Sequence, residues 1–332
     1  MADNQTYSSP NRIAYIDVAK AICIFLMVVG HWSDNSLLIT YIYSFHIPSL
    51  FIISGILYKP HTWTKTIVAF SVPYVFFSLL NLTVLIILKD LSLYSISFPN
   101  TLFQIFHYRY GLGEGFMIGG WFLWALLFIR FLFGDITLIN RIRNYYILIA
   151  IIAIIYMSFE KCLISIDTLF GGYFLGRAIP SLPFFCFGLY IKEKKWDLQN
   201  LPIPLVVLSL IIFVIVPYAN QATGIVSNGY GYSYIIFFMC AIFSTLFLFW
   251  LSNKIPSSRY IETISKGTLV VLGVHMPLLT ILRHYFPNEL ELLFPFITII
   301  ICYYIIIVCE RYFPILLGKM KSHQPNFTYK NQ

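Results

Sequence analysis

The sequence predicts an all-α integral membrane protein with about ten transmembrane helices and both termini in the cytoplasm. Three observations carry that reading. First, of 332 residues 59% are hydrophobic, 18% aromatic and only 11% charged, with a mean hydropathy of +0.78. Soluble domains carry about a quarter of their residues charged. Second, apolar windows of membrane length recur along the chain, and Leu198 to Asn253 contains no charged residue at all. The alternating ten-residue strands of a membrane barrel are absent, so a helical bundle is expected. Third, with the amino terminus inside, the inner loops hold 14 basic residues (Arg12, Lys59, Lys65, Arg141, Arg143, Lys192, Lys194, Lys195, Lys254, Arg259, Lys266, Lys319, Lys321 and Lys330). The outer loops hold four (Lys89, Arg109, Lys161 and Arg283). This positive-inside bias explains the net charge of +8 without nucleic acid, which is not expected as a partner.

Windows of about 20 apolar residues place the spans near 13–32, 37–58, 66–88, 119–134, 144–160, 172–191, 201–219, 232–252, 267–286 and 292–318. The first contains Asp17 and Lys20 and is followed by WSDNS with no small-residue cleavage site, so it is expected to stay as a span and not leave as a signal peptide. Pro48 and Gly55 are expected to interrupt the second, and the fourth is short. The polar patch Asn220, Gln221, Asn228 and Gly229 separates the seventh from the eighth. Residues 1–318 therefore read as one membrane domain and 319–332 as a short cytoplasmic tail. No soluble domain is expected.

The first span, RIAYIDVAKAICIFLMVVGHW, is the most informative segment. Charges in a membrane helix cost about 2.5–3.5 kcal/mol each at mid-span, so they persist where they pair, line a wet cavity or do chemistry. At about 100° per residue, Lys20 to His31 returns to within about 20° and Asp17 to His31 to within about 40°. The three share one polar stripe about 21 Å long. His31 is the candidate general base, since imidazole titrates near neutrality and can take a hydroxyl proton. Asp17 lies too far along the helix to be its triad partner and is assigned a pairing with Lys20 or Arg12.

His46 and His275 are further in-membrane candidates, each near a proline (Pro48 and Pro277). Arg177, at the outer end of the sixth span, could hold a carboxylate, a sulfonate or a sugar hydroxyl. Lys65 and the cluster Lys192, Lys194 and Lys195 could meet a nucleotide phosphate, although the positive-inside rule already accounts for them. Trp121 and Trp124 read as an interfacial belt or a platform for a sugar ring. The stretch His107, Tyr108, Arg109, Tyr110 and Glu114 suits carbohydrate or an interfacial segment. The six cysteines show no zinc or redox spacing, five of them lying in apolar spans and Cys162 in an outer loop. No metal is expected.

Several blocks then stand in order: Arg12, Asp17, Lys20, Gly30 and His31; Phe45, His46, Pro48, Ser54 and Gly55; Pro73 and Tyr74; Trp121, Phe122 and Leu123; Leu182 to Phe185 with Gly188; and Ser265 through Leu269 to His275. Together they resemble the acyltransferase family 3 membrane proteins, in particular the fucose 4-O-acetylase-like branch. The resemblance covers nearly the whole chain. It implies a ten-helix enzyme that takes an acyl group, usually acetyl, from acyl-CoA at the cytoplasmic side and places it on a hydroxyl of an envelope glycan or its precursor. It makes His31 the catalytic histidine, and Lys20 stands where many members carry arginine. The chain departs from the pattern in its third span, where relatives often place an arginine before Pro-Tyr and this chain has Phe70 and Ser71. Lys65 is the substitute cation the sequence offers. Larger relatives add an extracytoplasmic esterase-like domain that this sequence does not show, so transfer is expected to finish in a membrane cavity.

The function read from these observations is a membrane O-acetyltransferase of cell-envelope or exported polysaccharide, in a bacterial plasma membrane. Arg12, Asp17, Lys20 and Lys65 are its donor-side candidates; His46, Trp121, Arg177 and His275 are its acceptor-side ones. Acetyl-CoA or another acyl-CoA is the donor substrate. The partners are the lipid bilayer, a carbohydrate acceptor and glycan-assembly proteins. The rival reading is a transporter or flippase for a glycan or lipid-linked sugar, since midplane charges and broken helices also describe a carrier.

Overall fold

A computed structural model describes residues 13–60, 62–88, 119–133, 145–170 and 174–319. Each predicted window contains a helix: α1 (Ala14–Trp32), α2 (Ser36–Tyr43) and α3 (His46–Ile56) in the second, α4 (Trp63–Ile87), α5 (Gly120–Leu132), α6 (Tyr146–Phe159), and α8 (Ala178–Lys194) after a four-residue α7 (Ile166–Leu169). They continue with α9 (Ile203–Asn220), α10 (Tyr234–Lys254), a short α11 (Arg259–Lys266), α12 (Thr268–Tyr285) and α13 (Phe294–Tyr312). Among the described residues, seven segments are long and apolar enough to cross a membrane, counting α2 and α3 as one; α5 and α6 are apolar but shorter. The described residues contain no named strand, and the chain is an all-α membrane protein.

The second span differs from the expectation of one helix broken at Pro48 and Gly55. The chain breaks earlier, at Ser44 and Phe45, where Phe45 leaves helical geometry (φ −144°, ψ −28°). Pro48 then falls in the first turn of α3, where a missing N–H costs nothing because that turn's donors have no helical acceptor. Gly55 serves close packing. A Cβ at Gly55 would sit 2.2 Å from Phe185 O, and one at Gly188 2.1 Å from Ile52 O, so α3 and α8 meet backbone to backbone. At one end of this pair Lys192 Nζ donates to the Tyr58 carbonyl, and the Tyr58 hydroxyl donates to Phe133 O.

α1 is the hub, packed against α2, α3, α10, α11, α12 and α13. Its two ends are fastened by residues remote in sequence. At its start, Ser265 Oγ donates to Asp17 Oδ1 at 2.6 Å. At its finish, Arg283 Nη2 donates to Trp32 O at 2.5 Å, satisfying one of the carbonyls a helix leaves open at its C-terminus. Ile147, Leu148, Ile151, Ile152 and Ile155 on α6, and Val207, Leu210, Ile211 and Val214 on α9, face outward, as lipid contact requires.

Candidate active site

Two cavities open at the two ends of α1. The end where α1 starts, predicted to be cytoplasmic, is termed inner and the other outer.

The outer chamber measures about 40 Å³. That is room for about two or three waters. Met27 and His31 of α1, one turn apart, face it together with Tyr43 of α2, His46 and Ile47 of α3, Trp121 and Phe122 of α5, and Leu272 of α12. The ring centroids of His31 and His275 are 5.2 Å apart, those of His31 and Tyr43 6.2 Å, and those of Tyr43 and His46 5.2 Å. The three in-membrane histidines picked from separate spans therefore form one cluster. The break at Ser44–Phe45 makes this fit possible, because it turns Tyr43 and His46 towards each other from two short helices.

Backbone hydrogen bonds fix two of the imidazoles. His46 Nδ1 lies 2.7 Å from Ile42 O and His275 Nδ1 2.9 Å from Val271 O. A carbonyl only accepts, so both Nδ1 atoms donate, and in the neutral imidazole each Nε2 is left as the acceptor. His275 Nε2 is buried with no partner. Gly30 admits the tyrosine: a Cβ there would come within 2.7 Å of Tyr43 Cε1, and the Tyr43 hydroxyl donates to Gly30 O at 3.3 Å. Among the described residues, no three His, Cys, Asp or Glu side chains are grouped to hold a metal ion.

The chamber is roofed by the loop between α9 and α10, whose Thr223, Gly224, Ile225 and Val226 line it. The polar patch that separates two spans in the sequence is thus a folded lid. Asn220 staples it, donating from Nδ2 to Tyr230 O at 2.8 Å and accepting at Oδ1 from Tyr232 N at 3.0 Å. Arg177 fastens it from the other side. Its side chain, 1% exposed, donates from Nε to Val226 O at 2.9 Å and pairs with Asp167 at 2.8 Å. Asn228 Nδ2 adds a 2.7 Å bond to Glu160 Oε1. Arg177 does not line the chamber; it holds the lid that does. Trp121, 6% exposed, stands in the chamber wall and not in an interfacial belt.

The inner cavity is larger, about 750 Å³. Lys20 of α1, Lys65 of α4, Arg130 of α5 and Lys266 of α11 line it, and no acidic side chain does among the described residues. Arg130 and Lys266 were not singled out by the sequence. Arg130 sits in an aromatic run that reads as an interfacial belt, yet a lone arginine in a 13-residue apolar helix is the signal that could have found it. Its guanidinium stands 5.5 Å over the ring of Phe70. Arg130 Nε is buried without a partner. Asp17 is held by Ser265 and does not line the cavity. Arg12, His107, Tyr108, Arg109, Tyr110 and Glu114 lie outside the described residues.

The geometry thus offers a wide anion-attracting vestibule and, about 16 Å further along α1 by helical rise, a small pocket lined by imidazole and aromatic rings. That pairing suits a reaction whose donor has an anionic head on a long arm and whose acceptor carries a hydroxyl. A family model described as an acyltransferase domain matches residues 13–311, from the residue before α1 to the last turn of α13. No curated protein and no solved structure matches the chain. The match spans nearly all of the sequence, and the chain belongs to acyltransferase family 3 as a membrane acyltransferase.

Proposed function

We propose that the protein is an O-acyltransferase that moves an acyl group, acetyl in the first instance, from acyl-CoA to a hydroxyl of a cell-envelope or exported polysaccharide or its precursor, in a bacterial plasma membrane. The observation that supports this most directly is the division of α1 between two cavities, cations at one end and imidazoles at the other. The phosphates of the coenzyme would rest among Lys20, Lys65, Arg130 and Lys266, with charge-assisted bonds to the guanidinium and ammonium groups. Its thioester arm would run outward along α1 to His31.

His31 would act as general base. The acceptor's O–H proton passes to an imidazole nitrogen as the oxygen attacks the thioester carbonyl; the new C–O bond forms, the C–S bond breaks, and the imidazolium returns the proton to the departing thiolate. General base catalysis of this kind contributes about 10²- to 10⁴-fold. The bare Nε2 atoms of His46 and His275 are suited to accept from hydroxyl groups and so to orient the acceptor. The wall of Trp121 would offer its face to the sugar ring. Glycan-assembly proteins are the expected source of the acceptor.

The reading is tested with purified protein, radiolabelled acetyl-CoA and a panel of glycans, beside the mass of glycans released from cells with and without the gene. Label transfer that disappears in His31→Ala is expected. Absence of transfer to every glycan, together with unchanged glycan mass in cells, overturns the reading.

A further inference from the structure

Among the described residues, one side chain lines both cavities. Phe122 of α5 belongs to the wall of the inner, cationic cavity and to the wall of the histidine chamber, and is 4% exposed. Its ring centroid lies 4.8 Å from that of Phe51 of α3 and 6.3 Å from that of Trp121. Phe51 is fully buried, so the ring beside Phe122 has no room to retreat. On the inner side of Phe122 the wall is apolar (Leu50, Ile53, Leu123, Leu126); on the outer side stand Met27, His31 and Leu272.

We infer that Phe122 is the partition between the two cavities and sets the length of the acyl group that reaches His31. The inference rests on the acyl-CoA reading above. A thioester held in the inner cavity delivers its carbonyl past this ring, and whatever follows the carbonyl carbon must fit a chamber of about 40 Å³ beyond it. A methyl group fits that space with room for an acceptor hydroxyl beside it; a longer chain would take the acceptor's room and press on Phe122, Trp121 and Leu272. Discrimination of this type is worth about 10- to 200-fold per methylene in a close-fitting apolar pocket. The ring would also stand between the histidine chamber and the larger cationic cavity, and so keep water on that side from replacing the acceptor hydroxyl.

The experiment measures release of the coenzyme thiol from acetyl-, butyryl- and hexanoyl-CoA by the full-length protein in nanodiscs. It compares the native protein with Phe122→Ala, Phe122→Leu and Phe122→Trp. Thermal unfolding with and without coenzyme A reports folding and donor binding separately from turnover. The native protein is expected to favour acetyl over butyryl by at least about tenfold in kcat/KM. In Phe122→Ala that preference falls to about threefold or less, hexanoyl turnover appears, and hydrolysis without any glycan rises. Phe122→Trp lowers butyryl turnover further than acetyl turnover. Coenzyme A stabilises the variants as it does the native protein. A chain-length profile unchanged in folded, coenzyme-binding Phe122→Ala and Phe122→Leu overturns the partition and leaves the donor reading standing. Absence of stabilisation and of thiol release with every acyl-CoA in the native protein overturns the donor reading and the partition together.

Discussion

The two ends of α1 are built on opposite principles. The inner cavity is broad, lined by four cations from four different helices, with no acidic side chain among its described lining residues. The outer chamber is more than tenfold smaller; backbone bonds tie its His46 to Ile42 O and its Tyr43 to Gly30 O, and a stapled lid covers it. Long-range attraction tolerates imprecise placement, because a phosphate meets a field from several lysines and an arginine wherever it settles. Proton transfer does not, because it needs heavy atoms within about 2.6–3.2 Å of each other. Under the proposed function, precision is therefore required at the outer end, while the inner end needs only to attract and hold.

That contrast can be broken most severely at His31. His31→Ala should lower kcat about 10²- to 10⁴-fold and leave the stabilisation by coenzyme A intact; a loss of coenzyme binding instead would merge the two ends into one site. Next in size is the lid. Arg177→Ala removes one partner of a buried pair, a loss of about 3 kcal/mol at the low end of the range for such pairs because Asp167 is 21% exposed. It should lower the melting temperature in detergent and reduce kcat, with KM for acetyl-CoA little changed.

The inner end should respond in the other kinetic constant. Charge-assisted bonds contribute about 1.5–3 kcal/mol each, so Arg130→Ala should raise KM for acetyl-CoA about 10- to 100-fold at nearly constant kcat. Added salt should weaken donor binding in the native protein more than in this variant, since less charge remains to screen. A fall in kcat at unchanged KM would move Arg130 out of the donor site. The smallest expected effect is that of Tyr43→Phe, which removes the 3.3 Å bond to Gly30 O. It should cost about 0.5–1.5 kcal/mol of stability, read by thermal unfolding.

The sequence made α1 legible almost to the residue, 13–32 against Ala14–Trp32, because a long apolar run with a few polar residues obeys only the thickness of the bilayer. His46 and His275 could be named as in-membrane groups for the same reason. Their convergence on His31 could not be read, since it depends on helices 15 and 244 positions away in the chain. The bond from Ser265 to Asp17 was out of reach for the same cause, since the two residues stand 248 positions apart. The lid was legible as a polar interruption, but Ile225 and Val226 inside it are apolar because they face a buried chamber. Local composition does not report that. The break at Ser44–Phe45 carried neither glycine nor proline, and Pro48 drew attention to the wrong turn.

The backbone contact of Gly55 with Gly188 has a mechanical consequence. Two helices that touch through their main chains cannot slide past each other, because any shift would bring a side chain such as Ile52 or Phe185 onto the contact. The height of His46 on α3 is therefore indexed to the Lys192–Tyr58 clasp at the inner end of α8. α3 and α8 act as a fixed ruler through the bundle. Any opening of the bundle would then have to come from elements other than this pair, and the register between α3 and α8 would be kept.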